Sequence, residues 1–190
     1  MSWIRTVSPE QATGDVASAY ATLRERTSRA HVSNIWQTLA LDPRGLVGLF
    51  GLRSDLLDPP SPLSVAQAEA IVLVVSATNG CAYCVAHHGP KLARALANEP
   101  LARAVALDYR EADLPARDRV LLDYAVALTC EPAERKQEDV ERLREYGFDD
   151  AAILKATEIT AYYNAVNRLV CGLGIALESG VKPWEFGAQR

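Results

Sequence analysis

"SVAQAEAIVLVVSATNGCAYCVAHHGPKLARALAN", residues Ser64 to Asn98, decides between helix and strand. Its centre, Ile71 to Val75, is an apolar and largely β-branched run that in isolation passes for a buried strand. The flanks point the other way. Ser64 with Gln67 three residues later is a capping-box pattern that opens a helix, the first half is rich in alanine, and Asn79-Gly80 supplies a stop. No second strand candidate exists elsewhere to pair with it. The stretch therefore predicts two helices folded antiparallel across Asn79-Gly80, the second opening on Cys81 and bent at Gly89-Pro90.

Outward from this pair the pattern stays helical. Apolar residues at helical spacing predict an amphipathic helix over Asp15 to Arg29. A shorter one follows, with Ser33 or Asn34 as N-cap and Pro43 as its stop. Gly45, Gly48 and Gly51 fall three apart, which predicts close helix–helix packing. Pro59, Pro60 and Pro62 form a linker. Helices are also expected over "LPARDRVLLDYAVALTCEP", over "AERKQEDVERLREYG", and over one long segment capped near Asp149 and ending at Gly180. The fold class is all-α.

The bulk numbers agree. The chain has 190 residues, 49% hydrophobic and 23% charged, enough for one core and short for two domains. A net charge of −4 with scattered Lys and Arg argues against nucleic acid as a partner. No apolar run reaches membrane-spanning length and "MSWIRTVSPEQATGDV" lacks the apolar core of a signal peptide, so a cytoplasmic protein with no membrane partner is expected. In a reducing compartment the C-x-x-C of Cys81 and Cys84 is the informative half of the four cysteines. Cys130 and Cys171 read as buried small hydrophobes.

On one helix Cys81, Cys84 and His88 stand at i, i+3 and i+7, along a single stripe. A C-x-x-C at a helix start meets unsatisfied backbone N–H groups and the positive end of the helix dipole, which favour thiolate. His88 is placed to take the proton of Cys84 or to stabilise its thiolate. Glu69 sits in the apolar helix before the turn, where an unpaired carboxylate costs several kcal/mol, about 2–7 for a neutral polar group and more for a charge. It needs a partner. Both Glu69 and His88 lie roughly 10–15 Å along their helices from the turn, so a glutamate–histidine–thiolate relay is expected. His87 points about 100° away around the helix and reads as a surface or interface residue. Asn164, Asn167 and Arg168 form a polar face on the last helix, either touching the site or fixing helix packing, with Arg168 a rival partner for Glu69.

Glu69, the Cys81/Cys84 pair and His88 resemble, in spacing, the alkylhydroperoxidase AhpD-like family within the carboxymuconolactone decarboxylase superfamily. "NGCAYCVAHH" and "YYNAVNRLVCGLGIALES" are similar to its peroxidase-related branch, which carries a comparable Asn-x-x-Asn-Arg segment. The resemblance implies a single AhpD-like domain over 1–190, a helical bundle with the C-x-x-C at a helix N-terminus, its motif-bearing core at about 31–128 and C-terminal helices at about 133–179. It implies homo-oligomers, trimers or hexamers. It also implies Cys84 as the peroxidatic and Cys81 as the resolving cysteine, with Glu69 and His88 as proton relay. The partners implied are a hydroperoxide substrate and an external dithiol or thiol-protein reductant, with no cofactor and no metal. One departure is plain. The family places a histidine immediately before the second cysteine, and here that residue is Tyr83, whose phenol does not shuttle protons near neutrality.

Other readings carry less. Haem attachment needs histidine directly after the second cysteine, where Val85 stands. A structural zinc site needs a further ligand such as His31 or a lone cysteine. A lactone decarboxylase-like enzyme has no use for the thiols, and a redox sensor or non-catalytic helical oligomer remains as the non-enzymatic alternative.

Overall fold

A computed structural model describes residues 2–27 and 31–189. The described residues are all-α. Nine α-helices and one 3-10 turn follow one another: α1 (Gly14–Thr27), α2 (Asn34–Leu39), α3 (Pro43–Leu57), α4 (Val65–Thr78), α5 (Ala82–Leu96), α6 (Glu99–Asp108), α7 (Ala116–Cys130), a turn at Pro132–Glu134, α8 (Gln137–Glu145) and α9 (Asp150–Gly172).

The β-branched run lies in the middle of α4. Every residue from Ala68 to Thr78 is buried, because α5, α6, α7 and α9 pack around this helix. A helix covered on all sides carries no polar face, so its sequence loses the 3.6 period and comes to look like a strand. The capping box is formed in both directions: Gln67 N donates to Ser64 Oγ at 3.1 Å and Ser64 N to Gln67 Oε1 at 3.0 Å.

Four expectations need correction. Pro43 starts a helix instead of stopping one: α2 ends at Leu39, and Asp42 caps α3 through Gly45 N at 3.1 Å. The three glycines of α3 are not a packing stripe. A Cβ at Gly48 would meet nothing within 4 Å, and one at Gly51 only the Arg26 guanidinium at 3.9 Å. Helix α6 adds to the expected set; Asn98 caps it through Leu101 N, so the residue expected to end α5 opens the next helix. Last, α9 stops at Gly172, because Gly174 at φ +58 lets Ile175 N reach back to Val170 O and Gly174 N to Cys171 O, a Schellman close. The end of the first helix expected at Arg29 lies outside the described residues.

Beyond α9 the chain runs without regular structure over α5 and α6. Trp184 lies on Gly89, where a Cβ would come within 2.6 Å of its ring, and Arg103 stacks on Trp184 at 4.0 Å from the ring centroid. Gln189 donates to Ala106 O and Leu107 O. A second, smaller core joins α1 to α2 and α3 through Tyr20, Leu23, Trp36, Leu46 and Phe50. No helix among the described residues is long and apolar enough to cross a membrane.

Candidate active site

The turn that carries the cysteines is built twice over from backbone hydrogen bonds. Gly80, at φ +68, closes α4 as a Schellman motif: Cys81 N donates to Ser76 O at 2.9 Å and Gly80 N to Ala77 O at 3.0 Å. Cys81 is at once the residue after that close and the N-cap of α5, which puts Cys84 in the first turn of the helix. The first turn of a helix presents unpaired N–H groups and the positive end of the helix dipole.

Glu69 and His88 meet directly. Glu69 Oε2 lies 2.6 Å from His88 Nδ1, with both side chains 8% exposed. His88 Nε2 lies 3.2 Å from the hydroxyl of Tyr163 on α9, whose ring packs edge-on against the imidazole. Burial, aided by the nearby Lys91, holds His88 down at about 4, so the imidazole is neutral at pH 7. Burial also works against the Glu69 anion, but the His88 contact together with the nearby Lys91 and Arg53 outweighs it and keeps the carboxyl below its ordinary range. These states fix the tautomer. Nδ1–H donates to the carboxylate, and Nε2 is left as an acceptor for the Tyr163 O–H. Among the described residues the hydrogen bonds of His88 go to Glu69 and Tyr163 and not to Cys84, so the direct histidine–thiol contact expected from the sequence is not formed; Tyr163, which lines the same cavity as Cys84, takes the Nε2 side of the imidazole.

The two sulfurs differ in surroundings. Cys81 Sγ donates to Cys84 Sγ across 2.7 Å, and both are buried free cysteines. That hydrogen bond to Cys84, with burial, pushes the Cys81 thiol up, so Cys81 is the partner that keeps its proton. Cys84 and not Cys81 lines a cavity of about 550 Å³, together with His87, His88, Tyr83 and Tyr163.

A second carboxylate–histidine pair stands beside the first. Glu178, from the segment after α9, accepts from Tyr83 Oη at 2.7 Å, from Asn34 N at 2.6 Å and from His87 Nε2 at 2.8 Å. Burial opposes its charge, but the donors, His87 first, hold its carboxyl at about 2. Burial and Glu178 drive the Tyr83 phenol upward, which makes it a fixed donor and not a proton carrier. His87 is thus a wall residue tied to the tail, with its side chain 26% exposed, instead of one turned away from the site.

The polar face of α9 serves packing. Asn79 Nδ2 donates to Asn164 Oδ1 at 3.1 Å and Asn167 Oδ1 at 3.0 Å, and Asn167 Nδ2 donates to Ser76 Oγ at 3.2 Å, which clamps the α4–α5 turn to α9. Arg168 bonds Asn164 O at 2.7 Å and does not pair with Glu69. Cys130 and Cys171 are exposed, against the expectation of burial; Cys171 lies one turn beyond Asn167 and beside Cys81. No group of three His, Cys, Asp or Glu among the described residues is placed to hold a metal ion. Tyr163 and Glu178 are the residues that sequence reasoning missed. Tyr163 had a signal, since it lies one turn before Asn167 on the same face; Glu178 had none.

Likeness to known proteins bears on this arrangement. The carboxymuconolactone decarboxylase family model matches residues 47–106, which span most of α3 through most of α6. No curated protein matches the sequence. Among solved structures, the alkylhydroperoxidase AhpD core of an uncharacterized peroxidase-related protein from Ralstonia eutropha JMP134 superposes with a TM-score of 0.84 at 29% identity, covering 94% of this chain and 93% of that one. An uncharacterized peroxidase-related protein from Silicibacter sp. TM1040 gives 0.81 at 29% identity over 88% and 87%. A cysteine-to-alanine variant of the debrominase Bmp8, in complex with 2,3,4-tribromopyrrole, gives 0.75 at 19% identity over 92% and 90%, a likeness of fold alone. The fold thus hosts more than one chemistry; residues 47–106 match the carboxymuconolactone decarboxylase family, and the chain as a whole is similar to AhpD-like, peroxidase-related structures.

Proposed function

We propose that the protein is a thiol-dependent peroxidase that reduces hydroperoxides through a dithiol/disulfide cycle of Cys84 and Cys81. The observation that carries this reading is the asymmetry of the pair. Cys84 alone faces the cavity, receives the hydrogen bond of Cys81, and sits at the start of α5. The Cys84 sulfur attacks one peroxide oxygen, the O–O bond breaks, and the products are a sulfenic acid and an alcohol, or water from hydrogen peroxide. Cys81 then displaces the sulfenic hydroxyl as water, and the Cys81–Cys84 disulfide returns to two thiols by exchange with an external dithiol.

The proton of Cys84 is routed through the phenol of Tyr163, which lines the same cavity; among the described residues the two are not hydrogen-bonded to each other, so the bound peroxide or a water bridges them. Tyr163 accepts it while passing its own to His88 Nε2, so the buried phenol never ionises, and Glu69 stabilises the imidazolium that forms. The return path protonates the departing alkoxide. A homo-oligomer remains part of this reading, from the family resemblance.

The test is stoichiometric. Reduced protein mixed with cumene hydroperoxide loses two thiols per peroxide consumed, and peptide mapping finds the new disulfide between Cys81 and Cys84. Cys84→Ser abolishes the consumption, whereas Cys81→Ser stops at a trappable sulfenic acid. Thiol loss that leaves the hydroperoxide intact contradicts the reading.

A further inference from the structure

Reduction of hydrogen peroxide needs room for one small molecule, about 30 Å³ for a water in the liquid. The cavity in front of Cys84 is about 550 Å³, within the range of organic ligand pockets. Its walls have two characters. One is apolar and aromatic, with Ile35, Phe50, Tyr162 and Val166 buried and Trp36 half-buried. The other is cationic: Arg26 and Arg94 are exposed, and Arg53 and Lys91 are half-buried.

Against these four cations, Asp58 is the one carboxylate among the described lining residues, and it pairs with Arg53 at 3.5 Å. Of the two acids behind the wall, Glu178 is bonded to His87, Tyr83 and Asn34 N, and Glu69, bonded to the neutral His88, keeps its negative charge near Lys91 and Arg53, so Arg26 and Arg94 are the cations turned to the mouth. The chain as a whole is acidic, at −4, so a cationic wall at this place runs against its average. Lys91 and Arg94 follow His87 by four and seven residues on α5, while Arg26 and Arg53 come from α1 and α3. Three helices therefore bring positive charge to one cavity.

We propose that the substrate is an organic hydroperoxide with an apolar body and an anionic group, a carboxylate being the simplest, at the end away from the peroxide. This rests on the peroxidase reading of the same site. The body lies on the aromatic wall and the peroxide reaches Cys84. The anion is then held by Arg26 and Arg94 at the cavity mouth, where guanidinium groups offer paired donors to a carboxylate. Because the outer two cations are exposed, the attraction is screened by salt.

The probe is cumene hydroperoxide carrying a para-carboxylate, compared with the methyl ester of the same compound, with excess dithiol. The expected kcat/KM favours the acid by about tenfold or more at low ionic strength. The ratio contracts with added salt, and it falls toward one in Arg26→Gln and Arg94→Gln, whose exposed positions leave folding intact. Equal rates for acid and ester, or a ratio untouched by both substitutions, overturns the proposal. A second arm separates its failure from that of the peroxidase reading. Binding of the corresponding para-carboxylate alcohol and its methyl ester to Cys84→Ser is followed by tryptophan fluorescence. Preference for the acid here, with no turnover of any hydroperoxide, refutes the peroxidase chemistry and keeps the anion site; no preference refutes the anion site.

Discussion

His87 and His88 are neighbours in sequence, each is hydrogen-bonded to a glutamate, and the two pairs are built for different ends. Glu69–His88 is internal to the α4–α5 pair and buried, with His88 on the cavity wall beside Tyr163. Glu178–His87 joins α5 to the segment after α9, and its carboxylate also takes a backbone N–H of α2 and the Tyr83 phenol. The first pair has few bonds and a free role for its Nε2 side; the second draws three donors to its carboxylate, from α2 and α5. What differs is supply of protons, not composition. A carboxylate saturated with donors is a clasp, whereas one with a single neutral imidazole poises a base.

The comparison breaks most sharply at His88. Replacing it with alanine leaves Glu69 buried without its partner, at a cost of about 3–5 kcal/mol in a denaturant melt. The single-turnover reaction of Cys84 with hydroperoxide slows by about 10²–10⁴-fold. Adding Glu69→Gln to that variant removes the stranded charge, so it recovers stability and no reactivity. Parallel recovery of both would show that the pair is merely structural.

Tyr163→Phe should come next. It removes the hydroxyl bonded to His88 Nε2 while keeping the ring, and the expected result is a drop of about tenfold or more in single-turnover rate with little change in affinity for substrate. An unchanged rate means that His88 reaches the thiol without it.

Glu178→Gln attacks the clasp. Charge-assisted hydrogen bonds contribute about 1.5–3 kcal/mol, so the expected loss is of that order in stability, with a smaller loss in peroxide rate than at His88. Tyr83→Phe removes only one of the three donors and costs about 1 kcal/mol. If Tyr83→Phe instead matches His88→Ala in rate, the phenol is part of the proton path and the division between the two pairs fails.

Acid separates the pairs without mutation. His88 is near 4 when folded against about 6.5 unfolded, so the unfolded chain binds the extra proton between these values and stability falls as pH drops through that window. Glu178 is held at about 2 against an ordinary 4.5, so its contribution is present above that ordinary value and is lost as pH falls from there toward 2. Chemical denaturation across pH 2–7 should therefore show the His88 loss first. In Glu178→Gln only the lower part of the decline is expected to shrink.

How much of this was legible in the sequence follows from where the information lies. Ser64, Gln67, Asn79 and Gly80 act on backbone within a few residues of themselves, so α4 and its turn could be read in spite of a β-branched centre. Glu69 and His88 could be placed together because one short turn joins their helices. Gly174 closes α9 as Gly80 closes α4, but "CGLGIALESG" keeps an apolar period past the stop and hides it. Tyr163 and Glu178 act across 75 and 91 residues of chain, on His88 and His87. Nothing local marks a tail glutamate for a place against α5, and the cationic wall likewise gathers from three helices that the sequence leaves far apart.

The central claim is that His88 is a neutral base, with its proton on the Glu69 side and its Nε2 open toward Tyr163. Nitrogen-15 NMR of the imidazole in the reduced protein measures this directly. The account predicts a protonated Nδ1 and an unprotonated Nε2 at pH 7, with titration near 4. An imidazolium at pH 7, or a proton resident on Nε2, contradicts it.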